Sequence, residues 1–404
     1  MLRWLYLCLI TVPLINCATQ YSSQIPSSRP LSTRLILEPP STAAVDEVTV
    51  EEETDALLDV FNLRFDDQRD NEAIPLDDDQ PRVQKWLKYY TTRGRKTFER
   101  WLARGLALRN IVVPLLQEEG LPEELMYLAM VESGFNTSAL SSARACGVWQ
   151  FMPATGRMYG LNINYWVDER RDPAKATIAA ARYLKDLHAR FGDWYLAFAA
   201  YNAGPGSMRR AIRRSKSRDY WRISKTRYLK AETRNYVPKI LAAMIIGRNP
   251  EEYGFETASI QVTDFPKASI QVTRPIKLEE LAGRMKISLA ELKHWNPELL
   301  RGITPPLHRN KAKHYPFRIP LHHTEEFHSV EPTLSQLEIR DVRMHKIRRG
   351  DTLIAIARRY GVSLRKLKEY NRGLSAKRLR IGKKLAVPIP AVAVIPRKKN
   401  SKMS

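Results

Sequence analysis

The sequence has little of three things: cysteine, acidic residues and long apolar runs. It has three cysteines in 404 residues, and two of them come before residue 20. If the start of the chain is processed at Cys17, Cys146 is the last free thiol, so no intramolecular disulfide can replace a hydrophobic core. Lysine and arginine outnumber aspartate and glutamate by 66 to 43, which gives a net charge of +23. This imbalance predicts an anionic polymer or surface as partner.

The one apolar run at the start, residues 5–15, follows Arg3 and is too short to span a bilayer comfortably. It is typical of a signal peptide, which we predict over residues 1–16. The run ends at Asn16 and Cys17, and this end resembles the lipoprotein cleavage box of bacteria, in which the cysteine is acylated. Asn16 departs from the small residue preferred there. The alternative is a plain signal peptide followed by a chance cysteine.

Charge is segregated along the chain. Residues 41–80 hold 14 acidic and 2 basic residues, whereas residues 341–404 hold 19 basic and 3 acidic ones. We interpret residues 17–80 as a lipid anchor with an acidic, disordered tether. Residues 391–404 form a basic tail. The basic end would also suit a nucleic acid, but an export signal argues against that partner.

Helical periodicity begins near Pro81. Val83, Trp86, Leu87 and Tyr90 fall on one face, and similar patterns continue to about residue 248. We predict an all-helical domain over residues 81–250. After it the pattern changes to short β-type runs, including a six-residue sequence at 258–263 that recurs at 268–273. Residues 251–325 are predicted to hold short strands and a small repeated unit, residues 326–340 a linker, and residues 341–390 a second unit.

The evidence for that repeat is an alignment at an offset of 75 residues. Matching positions in the first copy are Ala282, Met285, Ser288, Leu289, Leu292, Trp295 and Asn296, and in the second Ala357, Tyr360, Ser363, Leu364, Leu367, Tyr370 and Asn371. Such self-similarity means that one small fold is used twice.

One carboxylate stands out in the helical region. A helix of ten residues is predicted between Gly120 and Gly134, with Pro122 as its first residue. Its apolar stripe of Leu125, Leu128 and Ala129 continues to Glu132. Burial and the negative end of the helix dipole both raise the pKa of a carboxyl in that place, and a protonated carboxyl is a general acid. The alternative is an ion pair with an arginine such as Arg144.

Two further segments mix aromatic, amide and hydroxyl groups, as sugar-binding clefts do. Residues 147–156 read GVWQFMPATG, and residues 200–206 read AYNAGPG. Rings stack on the C–H faces of sugars while amides and hydroxyls bind sugar hydroxyls. Either segment alone could be an ordinary loop. Together with Glu132 they indicate a carbohydrate-binding cleft.

These motifs, followed by ETRNYV at residues 232–237, resemble those of the bacterial lytic transglycosylases over residues 82–250. The resemblance implies a lysozyme-like helical domain that cuts the β-1,4 bond between N-acetylmuramic acid and N-acetylglucosamine. It makes Glu132 the sole catalytic acid and base, and gives Cys146 a packing role. The implied substrate-binding residues are Ser141, Gln150, Met152, Tyr201, Asn202, Glu232 and Tyr236.

A single carboxylate is unusual, because retaining glycosidases use two about 5 Å apart. In the family that is resembled, the substrate's own 6-hydroxyl attacks C1 and closes a 1,6-anhydro ring. Glu232 is the one motif carboxylate that could support a two-carboxylate hydrolase, which is the first alternative. The second is a non-catalytic peptidoglycan-binding lipoprotein.

The second repeat copy closely resembles the LysM module, a βααβ fold that binds N-acetylglucosamine chains. Asp351 is predicted to cap its first helix, Gly361 to stop it and Ser363 to cap the next. The first copy, at residues 274–320, lacks the Gly-Asp-Thr start and is a degenerate module. The fold class is therefore mainly α, with a lysozyme-like domain followed by small α+β units.

The remaining expectations concern partners and cofactors. We expect two partners: peptidoglycan glycan strands, and a membrane to which the lipid anchor attaches. No nucleic acid is expected as a partner. The protein should be a monomer on the periplasmic side of the cell envelope. No cofactor and no metal are expected: there is no His-Glu-x-x-His helix, and Ser133 lacks the glycine-flanked elbow of a serine hydrolase. A group of histidines, His314, His322, His323 and His328, is interpreted as a solvated loop rather than a metal site.

Overall fold

The computed structural model describes residues 74–257, 265–266, 269–307, 314–337, 342–371 and 379–388. The predicted signal peptide, Cys17, most of the tether, the first copy of the six-residue repeat and the basic tail lie outside the described residues. Within the described part of the chain, the search for a helix both long and apolar enough to cross a membrane finds none.

The first part of the chain is helical. Its helices are α1 (Pro81–Thr91), α2 (Arg95–Glu118), α3 (Met126–Ser133), α4 (Pro153–Met158), α5 (Pro173–Phe191), α6 (Trp194–Ala203), α7 (Pro205–Ser215), α8 (Tyr220–Ser224) and α9 (Ala231–Arg248). Capping fixes several of their ends. Asp172, for example, accepts from the backbone N–H groups of Ala174 and Lys175 at the start of α5, and Gly192 ends that helix in the left-handed conformation.

Helix α9 is central in this body. It packs on α1, α3 and α6, while α2 packs on α5. Its buried residues include Tyr236, Val237, Ile240 and Leu241. The last residues of the predicted tether also join the body, because Ile74 is 3% exposed and the Tyr195 hydroxyl donates to the carbonyl of Pro75 at 2.9 Å. The helical body therefore includes residues that precede α1.

Two βααβ units follow. The first consists of β1 (Ser269–Val272), α10 (Leu278–Met285), α11 (Leu289–Trp295) and β2 (Tyr315–Arg318), and α12 (Thr324–Val330) lies after it. The second consists of β3 (Val342–Lys346), α13 (Leu353–Arg359), α14 (Leu364–Glu369) and β4 (Lys384–Pro388). In each unit the two strands pair antiparallel. The helices of the two units start 75 residues apart, so the predicted repeat and the fold class are both confirmed.

Asn296 and Asn371 show how closely the two units correspond. Each side-chain amide donates to the carbonyl four residues earlier, that of Leu292 or Leu367. Each also exchanges hydrogen bonds with one backbone residue of the last strand, Asn296 with Arg318 and Asn371 with Ala386. The asparagine therefore ties the end of the second helix to the closing strand in both copies.

The first βααβ unit is docked on the helical body. Arg318 of β2 donates from one guanidinium nitrogen to both carboxylate oxygens of Asp172, at 2.7 and 2.6 Å. The backbone N–H of Asp168 donates to the carbonyl of Glu298 at 3.0 Å. Trp166, from the helical body, is buried in the core of the βααβ unit. This unit and the helical body therefore share buried contacts.

Two predicted details differ from the structure. The interval 326–340, predicted to be a linker, holds most of α12 and gives Phe327 and Leu334 to the core of the first unit. The cap of α13 is Thr352, which accepts from the N–H of Ala355. Asp351 instead accepts from the N–H of Arg348 at 2.7 Å and faces His345 at 2.8 Å. A carboxylate engaged by two other groups is not available to cap a helix.

Candidate active site

Glu132 lies in the last turn of α3. The predicted ten-residue helix is a 3-10 turn, Glu123–Leu125, followed by α3, and Pro122 precedes it in an extended conformation. The predicted stop at Gly134 is confirmed by its φ of 57°. A Cβ at that glycine would lie 2.2 Å from the indole of Trp101, so the chain can turn there only without a side chain.

The predicted apolar stripe is buried. Leu125, Leu128 and Ala129 are each 0% exposed, and Glu132 follows them on the same face with part of its surface accessible. The Tyr236 hydroxyl donates to Glu132 Oε1 at 2.5 Å. Within the described residues no arginine or lysine lies within ion-pair distance of this carboxyl. The alternative of a pair with Arg144 is wrong: Arg144 is exposed, and its carbonyl accepts from Arg170.

This environment favours the protonated form of the carboxyl. The pKa of Glu132 is raised from 4.5 to about 7. Burial is the largest cause and the charge of Glu232 adds to it, while the hydrogen bond from Tyr236 and the charge of Lys239 act in the opposite direction. The ammonium of Lys239 lies over the ring of Trp86, at 4.7 Å from its centroid. A large part of the Glu132 population therefore carries a proton near neutral pH.

The segment after α3 folds back beside it. The Ser133 hydroxyl donates to the carbonyl of Val148 at 2.8 Å, which ties the end of α3 to the segment 147–152. Ser141 Oγ accepts from the N–H of Ala145 at 2.9 Å, and the Gln150 amide donates to the carbonyl of Gly147 at 2.8 Å. Both predicted site residues thus hold the loop that they belong to. Met152 is 44% exposed, as a residue on the wall of a cleft would be.

Arg170 supports this loop from behind, and no sequence pattern predicts this role. Its guanidinium donates to the carbonyls of Arg144 and Phe151, each at 2.8 Å, and is fixed by two hydrogen bonds to the Asp168 carboxylate. Asp168 and Arg170 are both buried. Because the sequence is rich in arginine, nothing in its local pattern distinguishes Arg170.

Gly147 is in contact with the same support. It has a φ of 81°, and a Cβ there would lie 1.7 Å from the carbonyl oxygen of Arg170. A side chain would collide with backbone, which cannot swing aside. The glycine that opens the motif at residues 147–156 is therefore required both for its conformation and for this close approach.

Further hydrogen bonds connect the segment at residues 200–206 to the loop and to α9. The Tyr201 hydroxyl donates to the carbonyl of Trp149 at 2.7 Å, and the Trp149 indole donates to the Thr177 hydroxyl at 2.9 Å. Asn202 accepts from the Thr233 hydroxyl at 2.8 Å, linking α6 to α9. Burial and the negative charge of Glu132 both raise the pKa of Tyr201, which keeps its hydroxyl protonated as a donor.

Cys146 and Glu232 have different surroundings from the rest. Cys146 is 1% exposed and its thiol is free, which fits the packing role expected of it.

Glu232 is exposed and lines a pocket of about 290 Å³ together with Asn202, Arg210 and Lys230. Its carboxylate therefore acts on Glu132 through its charge, not through a hydrogen bond.

The histidines show no metal-binding geometry. The rings of His322 and His323 lie 4.2 Å apart, and His323 faces Glu326 at 3.1 Å. Within the described part of the chain there is no group of three or more histidine, cysteine, aspartate or glutamate side chains that could hold a metal ion. The chemistry of the site is that of one carboxyl with a raised pKa and a tyrosine hydroxyl beside it.

Three protein-family models match parts of the chain. Residues 111–224 match the Transglycosylase SLT domain, residues 268–336 the LysM-like domain of lytic transglycosylase MltD, and residues 345–388 the LysM domain. The first match spans Glu132, the segment 147–156 and Tyr201. The other two fall on the two βααβ units, so the chain combines a lysozyme-like domain with two LysM-type units.

A curated relative covers much of the chain. Membrane-bound lytic murein transglycosylase D of Escherichia coli strain K12 is 34% identical over 292 residues, which are 67% of this chain and 61% of that protein. The chain therefore spans a little under two thirds of the relative's length. The resemblance to a transglycosylase with LysM units that the motifs predicted is confirmed.

Solved structures of lytic transglycosylases are also similar to it. An inactive mutant of lytic transglycosylase Slt from Pseudomonas aeruginosa is 27% identical, with a TM-score of 0.32, covering 40% of this chain and 27% of that one. The 70-kDa soluble lytic transglycosylase of Escherichia coli is 19% identical, with a TM-score of 0.33, covering 53% and 46%.

Proposed function

We propose that this chain is a lytic murein transglycosylase, a lyase that cleaves the β-1,4 bond between N-acetylmuramic acid and N-acetylglucosamine. The observation that carries the proposal is the state of Glu132. Its carboxyl has no cationic partner among the described residues, its pKa is raised to about 7, and a tyrosine hydroxyl fixes one of its oxygens. That is the environment of a general acid.

The proton moves out from Glu132 and returns to it. The carboxyl gives its proton to the glycosidic oxygen as the C1–O bond breaks, and the muramic acid C1 becomes electron-poor. The resulting carboxylate then takes the proton of the C6 hydroxyl while O6 bonds to C1. The products are a free 4-hydroxyl and a 1,6-anhydro ring, and no water is consumed. One carboxyl therefore suffices, because the substrate supplies the nucleophile.

The other site residues bind and orient the strand in this proposal. Tyr236 holds the Glu132 carboxyl and is placed to reach the reacting sugar. Gln150 and Ser141 shape the loop beside it, and Met152 offers an apolar surface. Tyr201 joins that loop to α6, and Asn202 joins α6 to α9. In this proposal both shape the floor of the cleft.

The C-terminal LysM unit would hold the enzyme on its polymer. Residues 341–404 carry 19 basic and 3 acidic residues, so attraction to anionic groups of the envelope would add to glycan recognition and weaken as salt rises. Binding of this segment to purified peptidoglycan that did not change with salt would contradict the electrostatic part. Acylation at Cys17 would attach the enzyme to a membrane of the cell envelope, the outer one in our proposal.

Mass spectrometry of digestion products tests the reaction. Purified sacculi are digested with the wild-type protein and with the Glu132→Gln variant. We expect 1,6-anhydro termini from the wild type and a loss of at least about a thousandfold in rate from the variant, since the proton donor is removed.

Other products identify the alternatives. Termini heavier by one water would mean hydrolysis, and would make Glu232 the candidate second carboxylate. A Glu132→Gln protein that is fully active would exclude both glycosidase schemes. Wild-type protein that binds sacculi without cutting them would be a tethered wall-binding protein instead.

A further inference from the structure

Two adjoining pockets lie between α2 of the helical body and the first βααβ unit. The larger has a volume of about 1030 Å³, with Asn110 of α2 on one side and Lys286 and Leu321 on the other. The smaller, of about 370 Å³, is lined by Arg104 of α2 and by residues 135–138. Phe265 and His294 line both pockets, so the two form one groove. We call it the α2 groove.

The groove starts close to the reacting carboxyl. Asn136, in the wall of its smaller pocket, is four residues from Glu132, and four residues of chain span at most about 14 Å. Arg104 also donates to the carbonyl of Gly134 at 3.4 Å, which places its guanidinium at the end of α3. A polymer bound at Glu132 can therefore extend a branch into the α2 groove.

The lining does not suit a sugar ring. The large aromatic side chains of the wall, Trp295, Phe265 and Phe135, are 7%, 4% and 2% exposed, so none offers an open face on which a sugar could stack. What is open to solvent is alkyl surface, such as Leu321 at 76% exposure, and polar groups that donate hydrogen bonds. Such a mixture suits a short peptide with small apolar side chains.

The charges of the lining favour an acidic ligand. Arg104 and Lys286 are its cations, and His294, whose pKa burial lowers, adds a neutral imidazole. Glu291 is the one carboxylate among the described residues that line the groove. It is already engaged, since it accepts from the N–H of Ser288 in the cap of α11. An incoming carboxylate therefore meets a cation at each end of the groove, Arg104 at one and Lys286 at the other.

We propose that the α2 groove binds the acidic stem peptide of murein, so that the first βααβ unit selects peptide-bearing strands instead of gripping glycan. This inference rests on the proposed function, because it gives the groove a branch of the same substrate. A stem peptide has carboxylates for Arg104 and Lys286 and alanine methyl groups for the surface around Leu321.

The test uses the full chain and two polymers. Soluble glycan strands are prepared with stem peptides intact and with the peptides removed by an amidase, and release of anhydro termini is followed on each. The variant Lys286→Glu with Leu321→Glu reverses the charge at one exposed position and adds a negative charge at a second, and it leaves the core untouched. Lys293→Glu, an exposed lysine of the same unit outside the groove, is the matched control. Calorimetry with the free stem tetrapeptide measures binding without catalysis.

We expect the double variant to raise KM on peptide-bearing strands on the order of tenfold and to lose tetrapeptide affinity by a similar factor, with no change on peptide-free strands. An equal loss on both polymers, or unchanged tetrapeptide binding, would overturn the proposal. If the wild type released no anhydro termini from either polymer, the proposed function would fail, while the calorimetry would still decide whether the groove binds peptide.

Discussion

Tyr236 fixes the carboxyl of Glu132 through a hydrogen bond of 2.5 Å between residues that lie 104 positions apart in the sequence. The bond joins α3 to α9, the helix at the centre of the body. Because the tyrosine donates to Oε1, the carboxyl is held in one orientation and Oε2 is left to carry the proton. The alignment of the acid thus depends on a residue of the last motif.

Replacing this tyrosine should therefore change both rate and pH dependence. The hydrogen bond from Tyr236 lowers the pKa of Glu132 against the effect of burial, so Tyr236→Phe should raise that pKa above its value of about 7. The alkaline limb of kcat/KM, which follows loss of the proton from Glu132, should move to higher pH. We expect kcat to fall about 10- to 100-fold as the acid loses its orientation.

Tyr195→Phe is the matched control for that measurement. It also removes one hydroxyl hydrogen bond, to the carbonyl of Pro75, but has no contact with Glu132. Its pH profile should superimpose on that of the wild type. A Tyr236→Phe profile with an unmoved alkaline limb would show that the tyrosine does not tune the acid.

The raised pKa of Glu132 should also appear in the stability of the fold. In the unfolded chain this carboxyl ionises near pH 4.5, while in the native protein it stays protonated up to about pH 7. The native state is therefore penalised as pH rises from 4.5 to 7, and the penalty is constant above that range. Glu132→Gln removes it, so the variant should be more stable by about 1–3 kcal/mol at pH 8 and equal to the wild type at pH 4.

Urea unfolding at the two pH values measures this difference. Glu118→Gln, which alters an exposed glutamate of α2, should change the free energy of unfolding at neither pH. A gain from Glu132→Gln of the same size at pH 4 and pH 8 would mean that ionisation of this carboxyl is not the cause.

Two glycines with similar positive φ angles give a test of the loop support. Gly147 and Gly160 have φ values of 81° and 88°, but a Cβ would meet the Arg170 carbonyl at the first and open space at the second. Gly160→Ala should cost only the conformational strain, about 1–2 kcal/mol, and keep activity. Gly147→Ala should cost more and abolish activity, because the loop holding Gln150 must move. Equal losses of stability in thermal unfolding would exclude the contact with Arg170 as the cause.

Local sequence patterns predicted the parts of the site that depend on local geometry. The stripe leading to Glu132 and the stop at Gly134 follow from helix periodicity and from the freedom of glycine. Tyr236 was predicted as a site residue only through the resemblance of its motif to a known family. The support by Asp168 and Arg170 could not be found in this way, because its partners are backbone carbonyls at residues 144 and 151, and any residue supplies a carbonyl.

The repeat predicted the fold of the two βααβ units but not how the first unit docks on the helical body. Matching helix starts and asparagines predicted the shared fold. Docking of the first unit uses Arg318, a position that the repeat does not mark, against Asp172, whose visible role in the sequence is to begin a helix. An ion pair between distant segments leaves no periodic signal, so the sequence could not predict this docking.

The pair of Arg318 and Asp172 predicts a strong effect on stability. Both side chains are largely buried, and Arg318 also lies 3.6 Å from Glu298, whose carboxyl is buried as well. Burial and the negative charge of Asp172 raise the pKa of Glu298 above its usual range, and the charge of Arg318 opposes the rise. Arg318→Met would leave two buried carboxyls without their cation, which costs about 3–5 kcal/mol when one partner of a buried pair is removed.

Arg182→Met is the matched control, since Arg182 pairs with Glu119 while 59% of its side chain is exposed. Such a pair contributes at most about 1 kcal/mol. Urea unfolding of the two variants at pH 8 should therefore separate them by about 2–4 kcal/mol, and the gap should narrow at pH 5 as Glu298 takes up a proton. Two variants of equal stability at pH 8 would mean that the first βααβ unit is not held on the helical body by this ion pair.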